Sequence, residues 1–450
     1  EILSKFPKYA DLTHPKSLKV TEVAQYLKDD QALIIYGVEN EYTSIWLIRK
    51  TGGLTFKVSK IGKDEISESV AILRKSVDPQ SLATIRDIPD YDTELAYYLY
   101  SKLLEPLKTS LTGVKDLYVV TDGALGFLPL SLLVTTPHSL EKDGDLLFSK
   151  YRNVDWLANQ FSIALLPSIN TLKDISFFDK TNTVDTRKPF IGFGDPLFSF
   201  RQFRDDQTQV AQTRSRKGTL LRGLLPIFKD SKTQSKNIID ISILPRLPDT
   251  RDEILSIATT LNADLDNDVF LGKKASEDML LKTDLSNYKV ISFATHGLIP
   301  GDLNGLHQPA LALTNPGITG GSEDGVLTSS EILGLNLSAD MAVLSACNTA
   351  AGKGKGADAI SGLGRSFFYA GAKSILVSNW PVHSEATTSL MTNLFETLSS
   401  DESISRSEAL RRTQLKMINE LGYKEKGKLA FSYAHPIFWA PFTLVGDSGH

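Results

Sequence analysis

Cysteine is almost missing from this chain: Cys347 stands alone among 450 residues. A single thiol excludes an internal disulfide framework and any cysteine-rich metal site. It fits a reducing compartment, so a cytoplasmic location is expected. Long apolar runs are missing too. No stretch reaches the roughly 18 residues of a membrane helix, so no membrane role is expected. A strong charge of either sign is also lacking. The formal net charge of −4 argues against direct nucleic-acid binding by the chain as a whole. No secretory leader pattern opens the sequence, and it starts at Glu1 rather than Met. It is therefore expected to be a fragment of a longer protein or a processed product.

What is present is ordinary for a soluble globular protein: 41% hydrophobic and 23% charged residues. The length suits two to three domains. Segments 32–38 and 44–49 flanking a polar turn, followed by 54–58 after Gly52-Gly53, predict a β-meander. Helices are expected over 64–74 and, from leucines at four-residue spacing, over 93–111. Strands are expected at 117–120, 161–166 and 190–196. Residues 198–245, carrying Arg201, Arg204, Arg214, Arg216 and Lys217, read as a long, mobile, basic loop. Thr250 to Glu253 fits a capping box opening a helix 253–261. Strand 269–271, helix 276–281 and a strand ending at His296 come next, then loop, a helix 329–333 and a strand ending at Cys347. Helix 357–370, closed by Gly371, strand 373–378, helices 384–398 and 407–421 and strand 439–445 complete the pattern. Strands alternating with helices predict an α/β fold with a mostly parallel sheet.

Ligands of open α/β sheets bind beyond the carboxyl ends of the strands. Two chemically capable side chains stand at such ends, His296 first and Cys347 after it, 347 − 296 = 51 positions apart. This is the order and gap of the caspase pattern; papain-like enzymes run the other way. A thiol attacks only as thiolate, and a free pKa of about 8.5 leaves little at neutral pH. A neighbouring imidazole can take the proton and later protonate the leaving amine. The amides of Gly297 and Cys347 would then hold the oxyanion. No third, acidic member is apparent. Each residue also has a plain reading: a buried cysteine is usually a small hydrophobe, and a strand-end histidine is usually structural. Their coincidence at equivalent strand ends favours the dyad.

These residues sit within stretches that resemble the CHAT-domain peptidases, relatives of caspases and separases. The stretches are VTDGALGFLPL (120–130), GFGDP (192–196), LPDTRDE (247–253), FATHG (293–297), DGVLTSSEI (324–332), LSACNT (344–349), SNWPV (378–382) and HPIFWAPF (435–442). The resemblance implies a caspase-like sheet flanked by helices, with His296 as base and Cys347 as nucleophile. It implies a degenerate, non-catalytic half at 1–185 packed on a catalytic half at 186–450. Many such proteins carry tetratricopeptide repeats upstream, and some stay latent until a partner, often in antiviral defence, switches them on. A protein substrate and an upstream region or separate activating partner are therefore expected, with no cofactor and no metal.

After SNWPV the family usually has two acids; here stand His383, Ser384 and then Glu385. Glu385, Asp302 and Asp358 are candidate selectors of a basic substrate residue, against the plain reading of solvated surface acids. Ser378 and Trp380 are candidate cleft residues, with core packing the alternative for the tryptophan. The GKGKG stretch at 352–356 lacks P-loop spacing and reads as a flexible lip of the site. His435 reads as a structural turn residue rather than a second base. If the enzyme prefers basic residues, 201–217 is a candidate self-cleavage or docking segment. The rival readings are a silent scaffold that keeps the fold, and a sensor closed until activated.

Overall fold

The computed structural model describes residues 18–79, 82, 84–173, 185–209, 239–346, 356–380 and 383–449, the side chains of 209 and 356–361 excepted. The strands sort by burial. Apolar runs without alternation are buried on both faces, as expected of a sheet interior covered by helices. The strands in chain order are β1 (Gln31–Val38), β2 (Thr43–Arg49), β3 (Gly53–Ser59), β4 (Asp116–Val120), β5 (Ser162–Leu165), β6 (Lys188–Gly194), β7 (Val269–Leu271) and β8 (Tyr288–Ala294). Then come β9 (Gly297–Leu298), β10 (Ala310–Ala312), β11 (Val326–Thr328), β12 (Met341–Leu344), β13 (Ser374–Ser378), β14 (Gly422–Glu425), β15 (Lys428–Ser432) and β16 (Phe442–Gly446). Every residue of β12 and β13 is buried, whereas β3 exposes Leu54, Phe56 and Val58 and forms an edge.

Among the described residues, eleven strands make one sheet in the order β3-β2-β1-β4-β5-β16-β13-β12-β8-β6-β7. Seven neighbouring pairs are parallel and three antiparallel. The fold is therefore the expected α/β class, a mostly parallel sheet flanked by helices. The last strand, β16, lies parallel to β5 and antiparallel to β13, so it stitches the strands before residue 166 to those between 188 and 378.

Four local expectations are corrected. The helix from Thr93 stops at Leu103 and continues only as a 3-10 turn, Glu105–Leu107, because Pro106 has no N–H to donate. The capping box at Thr250 does not form. The helix already runs from Asp249 to Thr260, and the Thr250 hydroxyl donates to the Leu247 carbonyl while accepting the Asp195 N–H. The stretch 298–328 is not a plain loop: β9, β10 and β11 form a small antiparallel sheet over a core of Phe198, Ile241, Leu244, Leu298 and Leu306. The closing strand begins at Phe442, after a short helix Pro436–Trp439.

The helix Gly356–Ala370 ends, as expected, at Gly371, whose φ of 116° favours glycine. A Cβ there would lie 2.0 Å from the Leu337 carbonyl oxygen. Gly371→Ala should therefore lower unfolding free energy by at least ~2 kcal/mol, read as an earlier urea midpoint at unchanged m-value.

Candidate active site

Four parallel strands end together. Phe293 of β8 pairs with Leu344 of β12, Leu344 with Val377 of β13, and Ala294 with Gly194 of β6. Beyond those ends the backbone stays tied: the Ser345 N–H donates to the Phe293 carbonyl at 2.9 Å, and the Ser378 hydroxyl donates to the Ala346 carbonyl at 3.1 Å. Thr295 donates through its hydroxyl to the Ala312 carbonyl at 2.5 Å, bracing the turn that carries His296.

His296 is 1% exposed, against the ring of Phe198 at 5.4 Å. Its Nε2 lies 2.8 Å from the Pro245 carbonyl oxygen. A carbonyl only accepts, so Nε2 carries the proton and Nδ1 of the neutral ring keeps its lone pair. Burial pulls the imidazole below its usual pKa, a pull only partly offset by the Pro245 bond. The ring is therefore neutral at pH 7, a free base whose tautomer is set by a backbone oxygen.

Cys347 lies outside the described residues, as do Arg214, Arg216, Lys217 and all of GKGKG but Gly356. Asp358 lies on the helix Gly356–Ala370, but its side chain is outside the described set. Gly297 opens β9 and pairs with Leu311. Asp302 is exposed and its carboxylate accepts the Ile299 N–H at 2.9 Å. Glu385 sits in the first turn of the helix Ser384–Ser400, 3.3 Å from Nδ1 of His383. Ser378 is fully buried and ties down Ala346, next to the cysteine, instead of lining an open cleft. The cleft reading of Trp380 is corrected. It is fully buried, donates to the Ile437 carbonyl at 3.1 Å and lies under Arg74. His435 is structural, as expected: its Nδ1 accepts the Ile437 N–H and caps the helix Pro436–Trp439.

The basic loop needs correction at both ends. Phe200–Gln209 is a helix carrying Arg201 and Arg204, with Ser199 as its cap accepting the Gln202 N–H. At the far end, Pro245 supplies the oxygen that holds His296. Sequence reasoning missed this partner because any residue offers a carbonyl. It also missed Arg246, which forms a bidentate pair with the buried Asp195 of the GFGDP motif. Gly194 of that motif lets the helix Asp249–Thr260 approach β6, since a Cβ there would meet Ile254 at 2.7 Å.

Among the described residues, no group of three or more His, Cys, Asp or Glu side chains could hold a metal, and no helix is long and apolar enough to cross a membrane. An α/β sheet with a carbonyl-held histidine at its carboxyl edge defines the class of structure. The CHAT domain model matches residues 93–447, and the chain belongs to the CHAT domain family. Over 124 residues, 27% of the chain, it is 34% identical to Tetratricopeptide repeat protein 28 of Mus musculus, and the match spans only 4% of that protein's length. The separase–securin complex of Saccharomyces cerevisiae superposes with a TM-score of 0.48 at 10% identity, over 94% of this chain and 30% of that one. The Arg-specific cysteine proteinase gingipain R gives 0.40 at 10% identity, over 94% and 78%.

Proposed function

We propose that this chain is a cysteine endopeptidase in which Cys347 is the nucleophile and His296 the base. The observation that carries the reading is a register. β12 pairs with β8 at an offset of 344 − 293 = 51, the same as 347 − 296 = 51. That equality supports the reading that the two side chains serve one site. The proposed cycle needs no cofactor. The Cys347 sulfur attacks the scissile carbonyl as His296 takes the thiol proton. The amides of Gly297 and Cys347 receive the oxyanion. His296 returns the proton to the leaving amine, and water then opens the thioester. Asp302, Asp358 and Glu385 remain the candidate selectors of a basic residue in a protein substrate.

In this reading the chain divides into a non-catalytic half, 1–185, and a catalytic half, 186–450, joined through β16. The 1% exposure of His296 favours a latent resting form. An upstream tetratricopeptide-type region or a separate partner would open it, in a cytoplasmic setting of antiviral defence. The silent scaffold is the competing outcome of the same test. A peptidyl acyloxymethyl ketone ending in Arg or Lys, applied with and without upstream region, should leave its adduct on Cys347 by peptide mass mapping. Cys347→Ala should abolish the adduct. Proteolysis that survives in that variant refutes the assignment, and no adduct under any condition favours the scaffold.

A further inference from the structure

The buried charges beside the site lie outside the proposed chemistry. Asp195 follows the last residue of β6, is fully buried and holds a left-handed backbone with φ of 51°. Such a backbone costs energy in any residue but glycine, and an observed outlier of this kind points toward function. Its carboxylate takes Nε of Arg246 at 2.7 Å and Nη2 at 2.8 Å, and Nε of Arg251 at 2.9 Å. Arg246 also pairs with Asp206 on the helix Phe200–Gln209. Two acids and two arginines balance, as buried charge requires.

The position of Arg246 matters more than its charge. The carbonyl that accepts from His296 belongs to the Pro245–Arg246 peptide. Each neighbour of that peptide is tied. Gln202 donates its side-chain N–H to the Leu244 carbonyl at 2.8 Å, and its side-chain Oε1 accepts the Phe198 N–H at 2.7 Å. The Leu247 carbonyl accepts from Thr250 at 2.6 Å, and Thr250 in turn accepts the Asp195 N–H at 2.7 Å. The GFGDP and LPDTRDE motifs and the helix between them thus converge on one peptide group.

We propose that the Asp195–Arg246–Asp206 cluster is a positioning device that aims the Pro245 carbonyl at Nε2 of His296 and so keeps Nδ1 as the base. Neither Asp195 nor Arg246 is a catalytic residue; they act through the carbonyl. The inference rests on the peptidase reading for its consequence, but its geometry is testable without turnover.

The test uses the full chain labelled with ¹⁵N-histidine. The His296 ring signals are those missing from His296→Ala. The unaltered chain should show the Nε2–H tautomer alone. Arg246→Met, which leaves Arg251 to neutralise Asp195, should show mixed tautomers. Adduct formation at Cys347 should slow by about 10- to 100-fold, taking as guide the cost of losing the outer partner of a metal-bound histidine. Asp206→Asn should move both readouts the same way, by less. Arg187→Met serves as control: it breaks a pair with Asp340 at the amino ends of β6 and β12, away from the carboxyl ends that carry the site, and should change neither. A tautomer and rate left unaltered by Arg246→Met and Asp206→Asn overturn the proposal. If Arg246→Met fails to fold, Asp206→Asn decides alone. A shifted tautomer in a chain that never takes the ketone supports the positioning device and condemns the peptidase reading. Normal labelling with an unshifted tautomer condemns the positioning device alone.

Discussion

His296→Ala should slow adduct formation at Cys347 and peptide hydrolysis by about 10²–10⁴-fold, the range that a positioned general base supplies. A thiol of ordinary pKa, about 8.5, is only a few per cent thiolate at neutral pH. The variant should therefore react faster as pH rises toward that value. The unaltered chain should behave differently. Its imidazole is held below the usual value by burial, so it is already a free base at pH 7. Its rate should stay level at neutral pH and fall only on the acid side of about 6.5. Both rates are read by stopped labelling and mass spectrometry across the pH range. The loss should not come from unfolding. Removing the ring leaves the Pro245 carbonyl without its donor, a cost of about 1–3 kcal/mol, which a chain of this size should survive with its far-ultraviolet circular dichroism intact. Equal rates and equal pH profiles in the two proteins would remove His296 from the chemistry.

The parts of this fold legible in sequence are those where burial writes a pattern. Met341 to Leu344 and Ile375 to Val377 are unbroken apolar runs, each followed by a serine, and both lie in interior strands. His296 was legible because a histidine after such a run interrupts it. The helix Phe200–Gln209 was not, because it is polar nearly all round and its first residue, Phe200, is 61% exposed. Only the Ser199 to Gln202 spacing announced it, as a cap signal of the Ser-x-x-Gln kind. The β14–β15 hairpin escaped for a related reason. Its strands are largely exposed and charged, and its Lys426–Gly427 turn takes positive φ at both residues without the usual Asn-Gly signature. Trp380 misled in the other direction: it stands two residues past the end of a strand that reaches the site, yet its indole turns inward to Ile437. The Pro245 carbonyl is the extreme case. A backbone acceptor has no residue type, so only the tertiary path could reveal it.

Acid should destabilise the chain through His435, the second histidine held by a proline carbonyl. It is fully buried, with Nε2 3.1 Å from the Pro89 oxygen and the rings of Phe148, Tyr151 and Phe438 packed around it. Burial drives its pKa down to about 3, against smaller upward pulls from the Pro89 carbonyl and Asp90. The unfolded chain, with an ordinary histidine near 6.5, binds this proton first. The stability His435 contributes is therefore complete above about 6.5. It is lost as pH falls toward 3, by up to ~1.4 kcal/mol per pH unit. Glu277 works in the opposite sense. Burial raises its carboxyl to about 7, so the folded state holds that proton first and stability from this group is lost as pH rises. The two overlap, and a bare pH scan would mix them. His435→Gln separates them, because a glutamine side chain can still donate and accept but does not titrate. Urea unfolding of both proteins between about pH 7.5 and 4.5 should show the gap between unaltered chain and variant shrinking as pH falls. A gap that stays constant across that range would mean that His435 is not held neutral in the folded chain.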